Sequence, residues 1–405
     1  MLNLTPAQQN STLKQPNNWA AVFSLAIGAF SSVTTEFIPV GVLPEVAETF
    51  GITMGQAGLM MTLPGILGAI AAPGVLIAAG NTDRKKLLVT LSLLLLASAL
   101  TSALSSSWLI MLVSRALAGV SLGAFWAMGL AVAGNLVSTD KAGTAIAAVF
   151  GGVTVAMIIG VPLGSLVAEY FSWRGAFGAA ALMAAISLIL QTVFLPVIKA
   201  SEPMRIRSLL SFTGHQRGRK SLLLIALIYG THFGTYTYLA PLLKQAGIHS
   251  QMISWILLGF GITGFAANFI APRYANKNLP VTLTVGLVML AGSLMAISWL
   301  EHSTGLILSV LVWGAAWGAV PLCLNLGNRE ASGNELEAGS AMFTFTAQVS
   351  IAAGSATGGM IVDSAGLEVD FMTGGIVIVM SGLILWAWKA YPKPVLSQAG
   401  NIKRI

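Results

Sequence analysis

The sequence predicts an all-α membrane protein in which twelve transmembrane helices form two pseudo-symmetric six-helix bundles. The first observation is composition, since 56% of the 405 residues are hydrophobic and 9% are charged. A soluble domain carries about 25% charged residues, so lipid must be the main solvent of this chain. The second observation is length, because spans of about 20 apolar residues fit roughly a dozen times. The third is that the two halves carry the same ordered series of motifs.

Glycine, proline and charged residues divide the chain into twelve apolar runs that we interpret as helices. In the first half these runs cover Trp19–Leu43, Gln56–Ala79, Leu87–Leu104, Trp108–Leu136, Ala142–Ala168 and Gly175–Val197. In the second half they cover Ser221–Leu242, Ser250–Ala275, Leu279–Leu300, Ser303–Leu326, Ala338–Val362 and Val369–Tyr391.

The distribution of basic residues predicts the orientation of these spans. With the amino terminus in the cytoplasm, 18 of the 21 Lys and Arg residues are cytoplasmic, Arg174 and Lys244 lie outside, and Arg115 lies within a span. This is the positive-inside pattern, and it predicts a multi-pass membrane protein with both termini cytoplasmic. The expected segments are a tail (1–18), a six-helix bundle (19–197), a cytoplasmic linker (198–220), a second bundle (221–391) and a tail (392–405).

The two halves resemble each other in a series of small motifs that occur in the same order. The matched positions are Gly119 and Gly123 with Gly314 and Gly318, Gly143 with Gly339, and Pro44 and Gly51 with Pro241 and Gly247. One GxxxG motif is also a plain helix-packing device, but an ordered series is less easily accidental. Parallel repeats of this kind are typical of transporters whose binding site lies at the bilayer midplane.

Several other classes of protein are disfavoured. Cys323 is the one cysteine and the four histidines are scattered, so we expect no disulfide, metal site or cofactor. No nucleophile with a neighbouring base and no phosphate-binding loop is present, which argues against an enzyme. The net charge of +7 comes from basic residues dispersed in short loops, which gives no reason to expect nucleic acid as a partner.

Three ionisable residues lie within predicted spans, where charge is costly and therefore marks function. They are Glu36, Arg115 and His232, all placed in the outer half of the membrane. Burial disfavours an ionised carboxyl and a nearby cation favours it, so Glu36 is our candidate proton site and Arg115 the residue that tunes it. The alternatives are that Glu36 and Arg115 form a fixed structural pair and that His232 is a satisfied packing histidine.

Aromatic residues on the predicted spans suggest a wall that contacts a planar or amphipathic solute. Trp126 lies on the face of the fourth span that carries Arg115, His232 and Tyr236 share a face of the seventh, and Trp317 lies on the tenth. These four are the candidate substrate-binding residues. Each of them could equally face lipid or a neighbouring helix.

With these motifs the sequence resembles the major facilitator superfamily over essentially its whole length. The loop Gly80-Asn-Thr-Asp-Arg-Lys-Lys86 is similar to that family's cytoplasmic Asp-Arg signature, which implies a gating role for Asp83 and Arg84. It lacks the usual glycine after the arginine. Gly160, Pro162 and Gly164 resemble the exporter signature of the fifth helix, with Val161 inserted between the usual Gly-Pro pair, and imply a second gating element.

Within the superfamily, Arg115 with Gly119 and Gly123 is similar to the fourth-helix motif of the drug:proton antiporter branch, in which the arginine is linked to proton transfer. The strings Thr35-Glu-Phe37 and Phe125-Trp-Ala-Met128 look like those of bacterial efflux carriers for sugars and purine ribonucleosides. The resemblance implies a cavity between the first, fourth, seventh and tenth helices.

The expected function is proton-coupled secondary active transport, exporting a small organic solute across the inner membrane by alternating access. The solute would be a drug, nucleoside or sugar-like compound, with multidrug resistance as the related phenotype. The expected partners are the solute, protons and membrane lipid, with the protein acting as a monomer. The alternatives are a uniporter or proton symporter that imports a similar solute, and a non-transporting membrane receptor on the same fold.

Overall fold

The computed structural model describes residues 17–80, 82–138, 141–198, 212–300, 302–333 and 336–387. The predicted tails, apart from residues 17 and 18, and residues 199–211 of the predicted linker lie outside this part of the chain. In the first half the helices are α1 (Trp19–Phe50), α2 (Met54–Ala79), α3 (Arg84–Ala103), α4 (Trp108–Asn135), α5 (Ala142–Val155) and α6 (Val161–Phe194). In the second half they are α7 (Gln216–Thr237), α8 (Ser250–Ala275), α9 (Leu279–Trp299), α10 (Ser303–Ser332), α11 (Leu336–Ala365) and α12 (Leu367–Ala387).

Ten helical segments of the described chain are long and apolar enough to cross a membrane, or eleven if one bent pair counts as a span. One of the ten is the continuous segment Ala142–Phe194, in which a π-helical turn at Ala156–Gly160 joins α5 to α6. Its 53 residues would measure about 80 Å if straight, more than twice the ~30 Å hydrocarbon core. Ser172 interrupts it with φ +66°, so the segment breaks where two spans were predicted to meet.

Several predicted boundaries differ from the structure, among them those of the first and seventh spans. The first span was predicted to end at Leu43, before Pro44, but α1 continues to Phe50, which places Glu36 about 21 Å from that end of the helix. A proline inside a membrane helix is tolerated where neighbouring groups satisfy the carbonyl it frees. The seventh span is broken at Tyr238, after which the short helix Leu239–Gln245 continues at an angle of 41°.

The turn between α1 and α2 shows how local sequence sets the helix ends. Gly51 ends α1 in the left-handed region, at φ +62°, where glycine carries no steric penalty. Thr53 then accepts a hydrogen bond from the Gln56 backbone while the Gln56 side chain accepts one from Thr53, a capping box that starts α2. We call this end of the molecule the Gly51 end, and the opposite end, at the turn between α2 and α3, the Gly80 end.

Close helix packing in the first half depends on the predicted glycine motif. A Cβ added at Gly119 of α4 would overlap the backbone of Pro64 on α2, and one added at Gly123 would overlap the backbone of Gly68. The absence of side chains therefore lets α2 and α4 approach to backbone contact.

The second half repeats this packing at the matched positions. A Cβ at Gly314 of α10 would overlap the backbone of Phe260 on α8, and one at Gly318 would overlap that of Gly264. The α8–α10 pair thus uses the same glycine spacing as the α2–α4 pair, so the sequence repeat corresponds to a repeated backbone contact.

The two halves of the chain meet through α2 against α11, and through the π-helical turn and α6 against α8. The Asp363 carboxylate near the end of α11 accepts hydrogen bonds from Thr53 Oγ1 (2.6 Å) and the Gly55 backbone (2.9 Å). The hydroxyls of Ser254 and Ser165 lie 2.9 Å apart. These polar contacts lie toward the Gly51 end, so the halves are joined there.

The repeated glycine contact predicts an asymmetry between two glycine substitutions. Gly318→Ala should lower the thermal unfolding midpoint in detergent, because the new methyl group meets backbone that cannot rotate away, an overpacking cost of about 1–3 kcal/mol. Gly292→Ala on α9 should leave the midpoint unchanged or raise it slightly, because nothing lies within 4 Å of that position and alanine favours the helix. Equal midpoints for the two variants would contradict the packing described.

Candidate functional site

Arg115 of α4 is fully buried and donates to three backbone carbonyls. Its Nε donates to Met60 O (3.0 Å), and its two terminal nitrogens donate to Thr35 O (2.9 Å) and Glu36 O (2.9 Å). The guanidinium therefore ties α4 to both α1 and α2 at one depth.

The prolines of α1 and α2 explain why these carbonyls need an outside donor. A proline has no backbone N–H, so the carbonyl four residues before it loses its helical hydrogen bond. Pro39 frees the Thr35 carbonyl in this way and Pro64 frees the Met60 carbonyl. Arg115 bonds both of them, and the fixed fork of the guanidinium suits this arrangement better than a lysine would.

Glu36 lies beside this junction and is 5% exposed. Its Oε1 has no hydrogen-bond partner among the described residues. Arg115 is the cation whose charge acts on this carboxyl group, and Gln348 of α11 lies near it from the second half of the chain. The carboxyl group therefore lies close to both halves of the molecule.

The relation between Glu36 and Arg115 differs from a simple ion pair. Arg115 bonds the backbone carbonyl of Glu36, whereas the one ion pair within 4.0 Å in the described ranges joins Lys244 to Glu45. The guanidinium thus has a structural role that does not depend on the charge of the Glu36 side chain, and its positive charge is left to act on the carboxyl from a distance.

Three of the four predicted substrate-binding residues come together in an aromatic cluster, which we define as His232, Tyr236, Trp313 and Trp317. His232 stacks on Trp317, with ring centroids 3.3 Å apart and planes at 3°, and on Tyr236 at 5.3 Å. Trp313 Nε1 donates to His232 Nδ1 (3.1 Å). Both faces of His232 and one of its nitrogens are therefore engaged by protein, as the packing interpretation of this residue requires.

Trp126, the fourth predicted residue, lies apart from this cluster. It is partly buried on α4 and its ring packs against Phe150 at 6.2 Å. A contact between the halves is made instead by Phe37, the residue after Glu36. Its ring stacks on that of Phe233 of α7, with centroids 5.4 Å apart. The neighbours of the two predicted polar residues, Glu36 and His232, are therefore in contact.

Asp83 and Arg84, the gating candidates near the Gly80 end, form hydrogen bonds with backbone groups. Asp83 caps α3 by accepting from the Lys85 backbone (2.9 Å) and also accepts from the Ile198 backbone (3.0 Å). The Arg84 backbone donates to Ile198 O (2.9 Å), and its buried side chain leaves Nη1 without a hydrogen-bond partner in the described structure. The loop is therefore attached to the end of α6 in the same half.

The gating candidates of the fifth span surround the π-helical turn. Pro162 has no N–H to donate to the carbonyl of Ile158. The π-helical turn Ala156–Gly160 lies just before this proline, as is common where a helical hydrogen bond is lost. A Cβ at Gly160 would lie 2.8 Å from Thr34 Oγ1, and one at Gly164 would lie 2.9 Å from Ile38. The segment thus packs closely on α1.

A cavity of about 290 Å³ lies at the Gly51 end between the halves. Its lining residues are Gly41, Pro44, Glu45, Ser165, Ala168, Glu169, Ala240, Lys244, Ser250 and Ile253. Lys244 of the short helix pairs with Glu45 of α1 at 3.9 Å across it. Because both side chains are partly exposed, this pair contributes about 0–1 kcal/mol.

Sequence reasoning missed three polar residues within the spans. Gln348 and Asp363 lie on α11 and contact the first half, and Asp370 of α12 is 3% exposed with Oδ2 unpartnered among the described residues. Asp370 lies inside a predicted span, so like Glu36 it could have been found as an ionisable residue in an apolar run. Gln348 is uncharged, and the sequence marks it only as an amide in an apolar run.

Comparison with known proteins identifies the family of this chain. The Major Facilitator Superfamily profile matches residues 25–354. The chain belongs to the major facilitator superfamily, as its motifs predicted, and is therefore a member of a family of membrane transporters.

Two relatives of known name cover nearly the whole chain. The purine ribonucleoside efflux pump NepI of Salmonella enteritidis is 26% identical over 372 residues, covering 91% of this chain and 94% of the relative. The transcription regulatory protein OpdE of Pseudomonas aeruginosa is 27% identical over 381 residues, covering 93% and 95%. The predicted resemblance to purine ribonucleoside efflux transporters is thereby confirmed.

Solved structures of transporters share the fold. The nucleoside transporter NupG superposes with a TM-score of 0.75 at 13% identity, covering 91% of this chain and 98% of that structure. The human organic anion transporter MFSD10 gives a TM-score of 0.67 at 18% identity, covering 92% and 100%. At these identities the likeness concerns the fold alone.

The backbone contacts of Arg115 predict a specific rescue. Arg115→Met should destabilise the protein, because each freed carbonyl left unsatisfied costs about 1–3 kcal/mol. Pro64→Ala restores an N–H that can bond Met60 O, so it should stabilise the Arg115→Met variant more than it stabilises the unmodified chain. The measurement is a double-mutant cycle on thermal unfolding in detergent, and purely additive effects would show that Arg115 does not serve this carbonyl.

Proposed function

We propose that this protein exports a small organic solute across the bacterial inner membrane in exchange for protons, by alternating access. The observation that carries the proposal is the position of Glu36. This buried carboxyl group lies on α1 beside Arg115 of α4, which bonds its backbone, and next to Phe37, which stacks on Phe233 of the second half. Such a group can bind a proton from one side of the membrane and release it to the other when its surroundings change.

In this proposal Arg115 favours the ionised form of Glu36 through its charge and holds α1 and α2 in place through its hydrogen bonds. Asp83 and Arg84 act in gating at the Gly80 end. Gly160, Pro162 and Gly164 form the segment on which the halves rock, since it packs on α1 and is adjacent to the contact with α8.

We further propose the topology that the basic residues predict. The break at Ser172 divides Ala142–Phe194 into two spans, and α7 with its short continuation makes one, so twelve spans form two bundles of six. The Gly80 end then faces the cytoplasm with both termini. The contacts between α2 and α11 support a state that is closed on the outer side, at the Gly51 end.

The substrate class that best fits is a purine ribonucleoside. The Salmonella relative is named for the efflux of such compounds, and aromatic side chains bind planar bases by stacking. Trp126, His232, Tyr236 and Trp317 are the proposed substrate-binding residues. Since the faces of His232 are already covered, a base would stack on an outer ring of the cluster. The protein acts as a monomer, in contact with lipid, and a related drug would be exported by the same route.

The proposed exchange predicts proton release on ligand binding. Addition of a purine ribonucleoside to purified protein in weakly buffered detergent should release protons, because in an exchanger solute binding lowers the affinity of Glu36 for its proton. Glu36→Gln should abolish the release while leaving ligand binding and folding intact. Glu48→Gln, a control at an exposed carboxyl group on the same helix, should behave as the unmodified protein.

The same experiment separates the other modes of transport. Ligand binding without proton release in the unmodified protein would favour a uniporter, and proton uptake would favour a symporter. Proton release that persists in Glu36→Gln would contradict the role of Glu36.

A second candidate function is that of a non-transporting membrane receptor. The relative OpdE is named a transcription regulatory protein and covers as much of this chain as the efflux pump does. Flux of radiolabelled nucleoside in proteoliposomes distinguishes the two functions. A receptor would bind ligand without moving it.

A further inference from the structure

We infer that Asp363 of α11 closes the Gly51 end of the molecule by capping α2 of the other half, and that opening of this end releases the cap. The inference rests on the proposed alternating access and deepens it by naming a positioning residue for the closed state. Asp363 belongs to no motif that the sequence analysis singled out. It is exposed and lies two residues before the end of α11 at Ala365.

Both oxygens of Asp363 accept hydrogen bonds from the start of α2. Its Oδ2 accepts from Thr53 Oγ1 (2.6 Å), and its Oδ1 accepts from the Gly55 backbone N–H (2.9 Å). The first four N–H groups of an α-helix have no partner within the helix, and Gly55 is the second residue of α2. A residue of the second half of the chain therefore supplies one of the caps that a helix of the first half requires.

Thr53 directs its hydroxyl proton at this carboxylate. Its Oγ1 accepts from the Gln56 backbone N–H (3.0 Å) as the local cap of α2. A hydroxyl has one proton to donate, and here it goes to Asp363. A carboxylate accepts such bonds at both oxygens, and a negative charge is favoured at the amino-terminal end of a helix. The local cap thus prepares α2 to receive an acidic side chain from another helix.

The carboxylate reaches α2 because both helices carry glycine where they meet. A Cβ at Gly55 would overlap both Asp363 Oδ2 and the backbone oxygen of Gly359. Further inward, Ser355 Oγ donates to Gly58 O (3.0 Å). The cap therefore lies at the Gly51 end of a continuous contact between the halves, and the two helices cannot separate at that end while the cap is intact.

The matched contact of the repeat has no such cap among the described residues. The repeat places α8 in the position of α2, since Gly51 before α2 matches Gly247 before α8. In the described structure His249, which precedes α8, makes no side-chain capping bond to it. Ser250 and Glu169 line the cavity of about 290 Å³ at that place instead. Within the described chain, closure by a carboxylate cap is thus specific to the side of α2 and α11.

The strength of this cap suits a state that every transport cycle must leave. Its donors belong to the first half and its acceptor to the second, so separation of the halves breaks both bonds. Thr53 and Asp363 are exposed, so water replaces the lost partners, and the net contribution is of the order that changes an equilibrium about tenfold. The cap therefore biases the molecule toward closure without fixing it there.

The test is the distance between nitroxide labels at Ser106→Cys and Ser303→Cys, in a Cys323→Ala background. The two labelled positions are exposed, belong to different halves and lie at the Gly51 end. At one fixed pH, Asp363→Ala should raise the ratio of long to short distances about tenfold, because both acceptors of the cap are lost.

Glu368→Ala is the matched control. Glu368 is exposed at the same end of the molecule, and its carboxylate accepts a hydrogen bond from Gln245 Nε2 (2.6 Å). Gln245 belongs to the same half as Glu368, so the loss of this bond should leave the distances unchanged. The comparison separates a contact between the halves from a contact within one of them.

The outcomes separate this inference from the proposed function. Distances in Asp363→Ala that equal those in Glu368→Ala would overturn the inference. A lower thermal unfolding midpoint without longer distances would also overturn it, since a merely structural contact has that effect. Longer distances in Asp363→Ala, with proton release that survives Glu36→Gln, would support the cap and overturn the proton role of Glu36. If Asp363→Ala does not fold, Asp363→Asn, which keeps one acceptor, carries the same test with a smaller shift.

Discussion

The arrangement of the site depends on the hydrogen bonds of Arg115 to carbonyls that two prolines leave free. In lipid no water is available to bond an unsatisfied carbonyl. Pro39 and Pro64 each free one carbonyl, and the buried side chain of Arg115 bonds both of them. The same bonds fix α1, α2 and α4 relative to each other. Glu36 is therefore held at a defined depth beside a positive charge, without the direct ion pair that would neutralise it permanently.

The contact between α2 and α11 joins the second half of the chain to a helix that Arg115 holds. Its glycines and serines allow backbone approach near the Gly51 end. In the proposed function the first half contains the proton site, and a change of contact between the halves and protonation influence each other. The aromatic cluster then belongs to the second half, where a solute would meet it.

Much of the fold could be predicted because its signals are strong in the sequence. Apolar runs gave the helices to within a few residues, and the paired glycine motifs of α4 and α10 correspond to equivalent backbone contacts. The exceptions have physical reasons. Pro44 was taken as a helix end because proline breaks helices in water, whereas here α1 continues through it to Phe50. The seventh span is broken at Tyr238 by a bend of 41°, which hydropathy does not register.

The ionisable residues of the candidate site could be predicted from the sequence, but the groups that contact them could not. Glu36, Arg115 and His232 were found because ionisable residues are rare in apolar runs. The hydrogen bonds of Arg115 to Thr35 and Met60 follow from the positions of prolines in two other helices, and the approach of Gln348 depends on which helices pack together. Neither is encoded locally. The stacking of His232 between Tyr236 and Trp317 likewise depends on the position of α10 relative to α7.

The central claim is that the charge on Glu36 is coupled to opening and closing at the Gly51 end, as the proposed exchange of solute for protons requires. The most direct measurement is the distance between spin labels at Ser106→Cys and Ser303→Cys, exposed positions in the two halves at that end, in a Cys323→Ala background at high and low pH. The account predicts that low pH populates longer distances, and that Glu36→Gln shows the low-pH distribution at every pH. A distance distribution that does not respond to pH, or a response that Glu36→Gln leaves intact, would contradict it.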